Sequence, residues 1–180
     1  MAEFRLDFLS QGKYAVEILK RFGMMDCKTR AALMASKLKL LCDTTLEIVD
    51  ATVYRQMIGS LMYLTNTRPY ICFAVNTLSQ FLTDLRRVHL VAAKHILRYL
   101  KGTIEYGLRY VTDQKINLHG YVDSSWGGSA TDRKSTSGCC LSLGSGVISW
   151  FNKKQSSVAL STTEVEYVAA CSTSCEAVWL

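Results

Sequence analysis

The sequence predicts an α+β protein in which a mostly helical half, residues 1–112, precedes an α/β half, residues 113–180. Apolar residues recur every three or four positions between residues 52 and 101, which is the period of helices packed on a core. From residue 118 the period changes to two, and Gly144-Ser145-Gly146 separates two β-rich stretches as a hairpin turn does. The boundary between the halves is predicted around residues 112–117.

The composition is that of a globular chain with a moderate positive charge. Of its 180 residues, 49% are hydrophobic and 20% are charged, which excludes a disordered protein. The net charge of +6 is compatible with a polyanionic partner. Charged residues interrupt the apolar positions near the N-terminus, and no apolar run approaches the ~20 residues that span a bilayer. We therefore expect no secretion signal, no membrane contact and an intracellular location, cytoplasmic or nuclear.

The first half begins with one amphipathic helix. Residues 9–22 carry a single apolar stripe, with Ser10 as a possible cap, and Gly23 is placed to end the helix. Residues 24–49 lack any period and are predicted to form a mostly irregular connector.

Three further helices and a short strand are predicted before the boundary. The second helix begins at Thr52, and its apolar face consists of Tyr54, Ile58, Leu61 and Met62. A third helix restarts at Pro69, where the missing N–H of proline costs nothing, and continues to Leu82. The fourth helix covers residues 85–101, and residues 108–111 are predicted to be a strand.

The fourth helix carries a candidate nucleic-acid-binding face. Its members are four cations separated by 7, 4 and 3 positions, namely Arg87, Lys94, Arg98 and Lys101. At 3.6 residues per turn they lie within roughly 60° of one another, so they could contact successive phosphates of a nucleic acid. The alternative is the solvated face of an ordinary surface helix.

The second half places two carboxylates on different elements. Asp123 lies near the end of a predicted strand, residues 118–126, on one face with His119, Tyr121 and Ser125. Residues 138–143 and 147–151 form the hairpin, and the final helix starts at Ser161, with Glu164 in its first turn. Two acids brought together from different elements could form the beginning of a metal site. The alternative is that Glu164 only caps the helix, as the acid of a capping box does.

Several long strings of this sequence, in matching order, resemble the C-terminal part of a copia-type (Ty1/copia) retrotransposon Pol polyprotein. The resemblance covers about residues 9–180, and its strings are YRQMIGSLMYLTNTRPYICFAVNTLSQF, AAKHILRYLKGTIEYGLRY, GYVDSSWGG, DRKSTSG and SWFNKKQSSVALSTTEVEYVAACSTSCEAVWL. The resemblance implies that residues 1–112 form the end of the reverse transcriptase and its connection. It implies that residues 113–180 form an incomplete ribonuclease H-like domain of three strands and the first helix.

For the ribonuclease H part, the resemblance implies cleavage of the RNA strand in an RNA–DNA hybrid by two Mg²⁺ ions held between carboxylates. The family's first aspartate matches Asp123, and its helix glutamate matches Glu164; both are therefore candidate catalytic and metal-binding residues. Glu166 is two positions further on and faces another side of the helix. An RNA–DNA hybrid or a template–primer duplex is the expected partner, in the nucleus or in a cytoplasmic virus-like particle.

Departures from the family pattern predict an inactive fragment. The family's later aspartates have no counterpart before Leu180, so we expect an incomplete site that does not hold Mg²⁺ stably. Related sequences usually have Asp-x-Asp-Trp at the position of Asp123 to Trp126, and Arg-Pro-Asp at the position of Arg68 to Tyr70. No Tyr-x-Asp-Asp polymerase motif occurs. The alternative functions are a non-enzymatic nucleic-acid-binding remnant and an effector-like protein that binds partners through an exposed sheet edge.

Overall fold

A computed structural model describes residues 6–34, 50–111, 116–129 and 132–180. Within these ranges the chain is a mixed α+β protein, as the sequence predicts. Its helices and strands follow in the order β1 (Leu6–Leu9), α1 (Gly12–Arg21), α2 (Ala51–Leu64), α3 (Cys72–Ser79), α4 (Arg87–Gly102), β2 (Leu108–Val111), β3 (Leu118–Ser125), β4 (Thr136–Leu143), β5 (Gly146–Lys154) and α5 (Thr162–Trp179). No helix in the described ranges is both long and apolar enough to cross a membrane.

The chain divides into two compact units. The helical unit consists of residues 9–107, and the sheet unit consists of residues 108–180 together with the N-terminal strand residues 6–8. In chain order the helical unit is therefore an insertion between β1 and β2, which pair with each other. The assignment of the two halves to reverse transcriptase and ribonuclease H stays a prediction.

The core of the helical unit is built from the apolar stripes of its four helices. Tyr54, Ile58 and Leu61 are buried as predicted, but Met62 is exposed, and Met57 and Leu64 are buried instead. Helix α2 faces α1, α3 and α4, and its buried stripe is rotated around the helix axis towards Met57 and Leu64 and away from Met62. The Tyr54 hydroxyl donates to the Leu78 carbonyl at 2.8 Å, and burial raises the pKa of this tyrosine.

The helix ends of this unit follow local signals. Gly23 has a φ of +64° and ends the first helical segment, as predicted. Helix α1 begins at Gly12 because residues 6–9 form β1, which the sequence did not indicate. Helix α2 begins at Ala51 because the Asp50 carboxylate accepts from the backbone N–H groups of Thr52 at 2.8 Å and Val53 at 3.2 Å.

A fully buried arginine joins two parts of the helical unit. The Arg68 Nη1 donates to the Tyr70 hydroxyl at 2.9 Å and to the Thr103 carbonyl, and Nη2 donates to the Ile104 carbonyl at 2.7 Å. These carbonyls follow the C-terminal end of α4, where backbone acceptors lack helical partners and the helix dipole favours a cation. In the described part of the chain no carboxylate pairs with Arg68, and the Tyr70 hydroxyl serves as its side-chain acceptor.

The sheet unit contains a three-stranded antiparallel sheet in the order β3-β4-β5. Strand β4 begins at Thr136, two residues before its predicted start, because Thr136 and Ser137 pair with both neighbouring strands. The Tyr110 hydroxyl on β2 donates to the Val147 carbonyl on β5 at 2.7 Å. Gly146 is required at this point, because an added Cβ would overlap the Tyr110 ring.

Helix α5 begins where the sequence predicts. Ser161 is its N-cap and accepts from the Glu164 N–H at 3.2 Å, and the Glu164 carboxylate accepts from the Leu160 N–H at 2.7 Å. The pattern is a capping box in which the reciprocal bond reaches one residue further back than usual. Helix α5 packs on the sheet through Val165, Ala169 and Thr173.

We predict that Tyr70→Phe lowers the free energy of unfolding by about 1–3 kcal/mol, because a buried charged donor loses its hydroxyl acceptor. Urea denaturation measures the change. Tyr106→Phe is the matched control, since the Tyr106 ring contacts the Tyr70 ring at a centroid distance of 6.1 Å. Equal effects of the two substitutions would show that the hydroxyl of Tyr70 does not stabilise Arg68.

We also predict that Glu164→Ala destabilises the chain by about 0.5–1.5 kcal/mol, because the N-terminal turn of α5 loses a carboxylate acceptor. Glu166→Ala, on the same helix, is expected to change the free energy of unfolding by less than about 0.5 kcal/mol. Thermal and urea denaturation of the two variants provide the comparison. The capping role is wrong if Glu166→Ala is the more damaging substitution.

Candidate nucleic-acid interface and carboxylate site

The strand alternation of β3 decides which way Asp123 faces. An added Cβ at Gly120 would lie 3.9 Å from the Thr173 Cγ2 of α5, so the even-numbered residues of β3 face the helix. Asp123 is odd-numbered and lies on the face away from α5, in register with Gly138 of β4. Its side chain is exposed, and its Oδ1 accepts from the Ser124 N–H at 2.9 Å.

The two acids at the start of α5 lie on different flanks of the helix. Two contacts identify the flanks of α5. Glu176 marks the flank towards β5, because its carboxylate accepts from the Ser149 hydroxyl at 2.7 Å. Thr173 marks the flank towards β3, because it lies beside Gly120. At 100° per residue, Glu166 lies within about 20° of Thr173 around the helix axis, and Glu164 lies on the opposite side. Glu166 is therefore the acid on the β3 flank, and Glu164 is the acid that caps the helix. The family resemblance pointed to Glu164, and the spacing of a capping box offered the alternative role for the same residue; the direction in which α5 packs on the sheet is not visible in the sequence.

Asp123 and the first turn of α5 lie at the same end of the sheet unit. The Trp126 indole N–H, just beyond β3, donates to the Ala159 carbonyl at 3.2 Å. The Gln155 amide, just beyond β5, donates to the Val165 carbonyl at 3.1 Å. The predicted carboxylates thus share one end of the unit, but the sheet separates the face of Asp123 from the face that α5 covers.

A third acid at this end already has a cation. The Asp132 carboxylate accepts from Lys154 Nζ at 2.8 Å, and this hydrogen bond, with a second from Ser129, holds the pKa of Asp132 well below its usual range. This ion pair connects the β3–β4 loop, which contains Asp132, to Lys154 at the end of β5. Among the residues that the structure describes, no three His, Cys, Asp or Glu side chains come together as a possible metal site.

A cavity of about 470 Å³ opens between β5 and α5, and it is lined by residues that include Phe151, Lys153, Gln155 and Val168. The Gln155 Oε1 is buried without a hydrogen-bond partner. Ser137, Phe151 and Lys153 of the lining belong to the α5-facing side of the sheet, whereas Asp123 lies on the other side. The lining includes none of Asp123, Glu164 and Glu166, so the cavity is separate from the candidate carboxylates.

The predicted basic face of α4 is partly occupied by the chain itself. The Lys101 Nζ donates to the Cys27 carbonyl at 2.7 Å, and the Arg98 Nε donates to the Lys28 carbonyl at 2.7 Å. Further along, the Arg30 N–H donates to the Arg98 carbonyl at 3.3 Å. The His95 Nε2 lies 2.9 Å from the Ala32 carbonyl oxygen. Residues 27–32 thus run along α4 in the opposite direction.

This packing changes the composition of the basic face. Arg87 and Lys94 are exposed, whereas Arg98 and Lys101 are half-buried under residues 27–32. The same segment adds the exposed residues Lys28 and Arg30. Together the six cations form the α4 basic surface, which consists of Lys28, Arg30, Arg87, Lys94, Arg98 and Lys101. The sequence missed the first two because the segment has no periodicity, and only its position beside α4 makes its charges part of the surface.

Comparison with known proteins gives close relatives over nearly the whole chain. An uncharacterized mitochondrial protein of Arabidopsis thaliana is 41% identical over 172 residues, which are 96% of this chain and 71% of that protein. No protein-family model and no solved structure matches the chain.

Two polyproteins of plant transposons are equally similar. The retrovirus-related Pol polyprotein from transposon RE1 of Arabidopsis thaliana is 42% identical over 172 residues, 96% of this chain but 12% of the polyprotein. That from transposon TNT 1-94 of Nicotiana tabacum is 42% identical over 180 residues, again 96% of this chain, and the match spans 14% of its length. The chain therefore belongs to the copia-type retrotransposon Pol polyproteins, of which it corresponds to a short part.

Proposed function

We propose that this chain is a nucleic-acid-binding part of a copia-type Pol polyprotein, spanning the end of the reverse transcriptase and the first part of the ribonuclease H domain. It binds an RNA–DNA hybrid through the α4 basic surface and does not cleave the hybrid by itself. The observation that carries the proposal is the grouping of six cations from two segments on one surface of the helical unit.

The geometry of that surface suits a phosphate backbone. Binding of this kind comes from Lys and Arg side chains that neutralise phosphates and release counterions. The Arg98 Nε and the Lys101 Nζ donate hydrogen bonds to backbone carbonyls of residues 27–32, so these two side chains hold that segment against α4. Lys28 and Arg30 are exposed residues of that segment, and Lys94 is an exposed residue of α4 beside it. They are therefore the residues whose charge is best placed to contact the ligand.

The sheet unit supports the ribonuclease H part of the proposal by its order of elements. Three antiparallel strands followed by a helix are what the family resemblance implies for the start of that domain. Asp123 on the first of these strands and the acids of the first helical turn share one end of the unit. Of the two helix acids, Glu166 lies on the flank towards β3, so it is the better candidate to act with Asp123.

Mg²⁺, which the family implies, does not fit the described residues. Two-metal cleavage needs carboxylates that hold two ions roughly 4 Å apart. Asp123 lies on the uncovered face of the sheet, whereas Glu166 belongs to the helix on the other face. Glu164 caps α5, and Asp132 pairs with Lys154. Further carboxylates outside these groups would have to complete the site, so we derive no cleavage step for this chain.

We predict that the double variant Lys28→Glu/Lys94→Glu weakens binding of an RNA–DNA hybrid at least ~10-fold and lowers the salt slope by about 2, because two phosphate contacts are lost. Fluorescence anisotropy of a labelled hybrid at several salt concentrations measures both quantities. The matched control is Lys13→Glu/Lys20→Glu, which reverses two exposed lysines of α1. If the control pair weakens binding equally, the charge effect is non-specific and the α4 basic surface is not the binding site.

We predict further that the full chain leaves the RNA strand of a hybrid intact in the presence of Mg²⁺, because its described carboxylates do not form a two-metal site. Denaturing gel electrophoresis of an end-labelled RNA strand measures cleavage. Mg²⁺-dependent cleavage that Asp123→Asn or Glu166→Gln abolishes would show that the site is complete, and would overturn the non-catalytic part of the proposal.

A further inference from the structure

The first turn of α4 has an unusual cap. Its N-cap residue is Arg86, whose side chain carries only donors and therefore cannot accept from the N–H groups of the turn. The side-chain cap comes instead from the third residue of the helix, because the His89 Nδ1 accepts from the Arg86 backbone N–H at 3.1 Å. This is the reciprocal half of a capping box, with histidine in the position that glutamate or glutamine usually occupies.

The imidazole of His89 is enclosed, and its hydrogen bond requires the neutral form. The residue is fully buried, and its ring stacks on the Phe81 ring at a centroid distance of 4.0 Å and an interplanar angle of 21°. Because Nδ1 accepts, the ring proton of the neutral form lies on Nε2. A second proton on Nδ1 would convert the acceptor into a donor that faces the Arg86 N–H. The cap therefore holds only while His89 is neutral.

The position of His89 opposes a positive charge on its ring. Burial separates the imidazole from water, which penalises the charged form. The ring also lies at the N-terminal end of α4, where the helix dipole is positive. Arg87 begins the same helix, and Arg55 of α2 donates to the Leu82 carbonyl of the α3–α4 loop, residues 80–86, at 3.2 Å. Both add further positive charge around the turn.

The groups that favour a cation here are weaker. The Asp84 carboxylate of the α3–α4 loop already pairs with Arg86 at 3.3 Å, and its side chain is 72% exposed, so water screens it. Helix α3 contains no charged residue, and the Tyr54 hydroxyl of α2 stays neutral because burial raises its pKa. The face of Phe81 attracts a cation, but it cannot replace the hydrogen bond that protonation removes.

We propose that His89 is an acid-operated latch on the first turn of α4. Neutral His89 closes the turn, whereas protonation opens it and releases Arg87 from its place at the end of the α4 basic surface. The buried residues further along α4, from Ala92 onwards, keep the rest of the helix on the core.

The direction of the pH dependence follows from which form takes up the proton. The open turn binds a proton that the closed turn excludes, so the latch is fully effective above roughly pH 6.5, where a free histidine is neutral. Its effect is lost progressively as the pH falls below that value. The inference rests on the contacts of this turn and not on nucleic-acid binding. Its test therefore uses no nucleic acid, and a failure of hybrid binding would not bear on it.

Amide hydrogen exchange of the full chain tests the latch, with each protection factor corrected for the intrinsic exchange rate at that pH. Between pH 7.5 and pH 5.5, the protection factor of the Arg86 N–H is expected to fall about 10-fold, because opening is linked to the uptake of one proton. The Thr52 N–H is the internal control, since its cap is the Asp50 carboxylate at 2.8 Å and not an imidazole. Its protection factor should change by less than ~2-fold, because carboxylates ordinarily titrate near about pH 4.

A substitution separates titration from capping. His89→Gln retains an acceptor for the Arg86 N–H but does not titrate, so the protection factor of that N–H should change by less than ~2-fold over the same range. His119→Gln, which replaces an exposed histidine of β3, is the matched control and should retain the ~10-fold fall. An Arg86 N–H that keeps its protection down to pH 5.5 in the original chain overturns the proposal, and so does an equal fall in His89→Gln.

An NMR titration of the original chain gives a second measurement that needs no variant. The ring resonances of the exposed His119 are expected to shift between pH 8 and pH 5.5, since about 6.5 is the ordinary midpoint for histidine. Those of His89 in the closed turn should not shift with them. If the His89 ring titrates together with His119 while the Arg86 N–H stays protected, protonation does not open the turn and the latch is wrong.

Discussion

Helix α5 covers only one face of the β3-β4-β5 sheet, and the arrangement of the whole sheet unit depends on this constraint. Strand side chains alternate with a period of two, so a helix that packs on Leu141 and Cys139 necessarily leaves the odd-numbered residues of β3 on the other side. Asp123 is one of those residues. A carboxylate on an uncovered face stays hydrated, and its interactions with ions are screened by water. The reactivity of this acid therefore depends on whatever further layer comes to cover it.

The helical unit uses its cations as internal donors as well as surface charges. Arg68 satisfies carbonyls beyond the end of α4, and Arg98 and Lys101 satisfy carbonyls of the segment that lies along α4. Buried or half-buried carbonyls without partners would cost about 1–3 kcal/mol each, so these side chains stabilise the positions of whole segments. The net charge of the chain accordingly overstates the number of cations that are available to an external polyanion.

Periodicity and end signals made the α+β class and most helices predictable, because both are local. In the structure Gly23 ends a helix and Ser161 caps the start of another, as the sequence predicts. Contacts distant in sequence were not predictable. The packing of residues 27–32 on α4, the pairing of β1 with β2 and the exposure of Met62 all depend on neighbours that the local pattern does not name.

The same limit applies to the candidate site. Both Glu164 and Glu166 are visible in the sequence, but the flank on which each lies depends on how α5 packs on the sheet. Spacing alone identified the capping residue. The position of Asp123 on the face away from α5 likewise follows from the sheet register and not from the acid's place at the end of a strand.

The pairing of β1 with β2 has a consequence for synthesis on the ribosome. About 100 residues separate these strands, and the whole helical unit lies between them. At roughly 5–20 residues per second, the N-terminal strand emerges on the order of ten seconds before the strand with which it pairs. During that interval the helical unit can fold, while the backbone groups of β1 remain available to water, to chaperones or to neighbouring nascent chains.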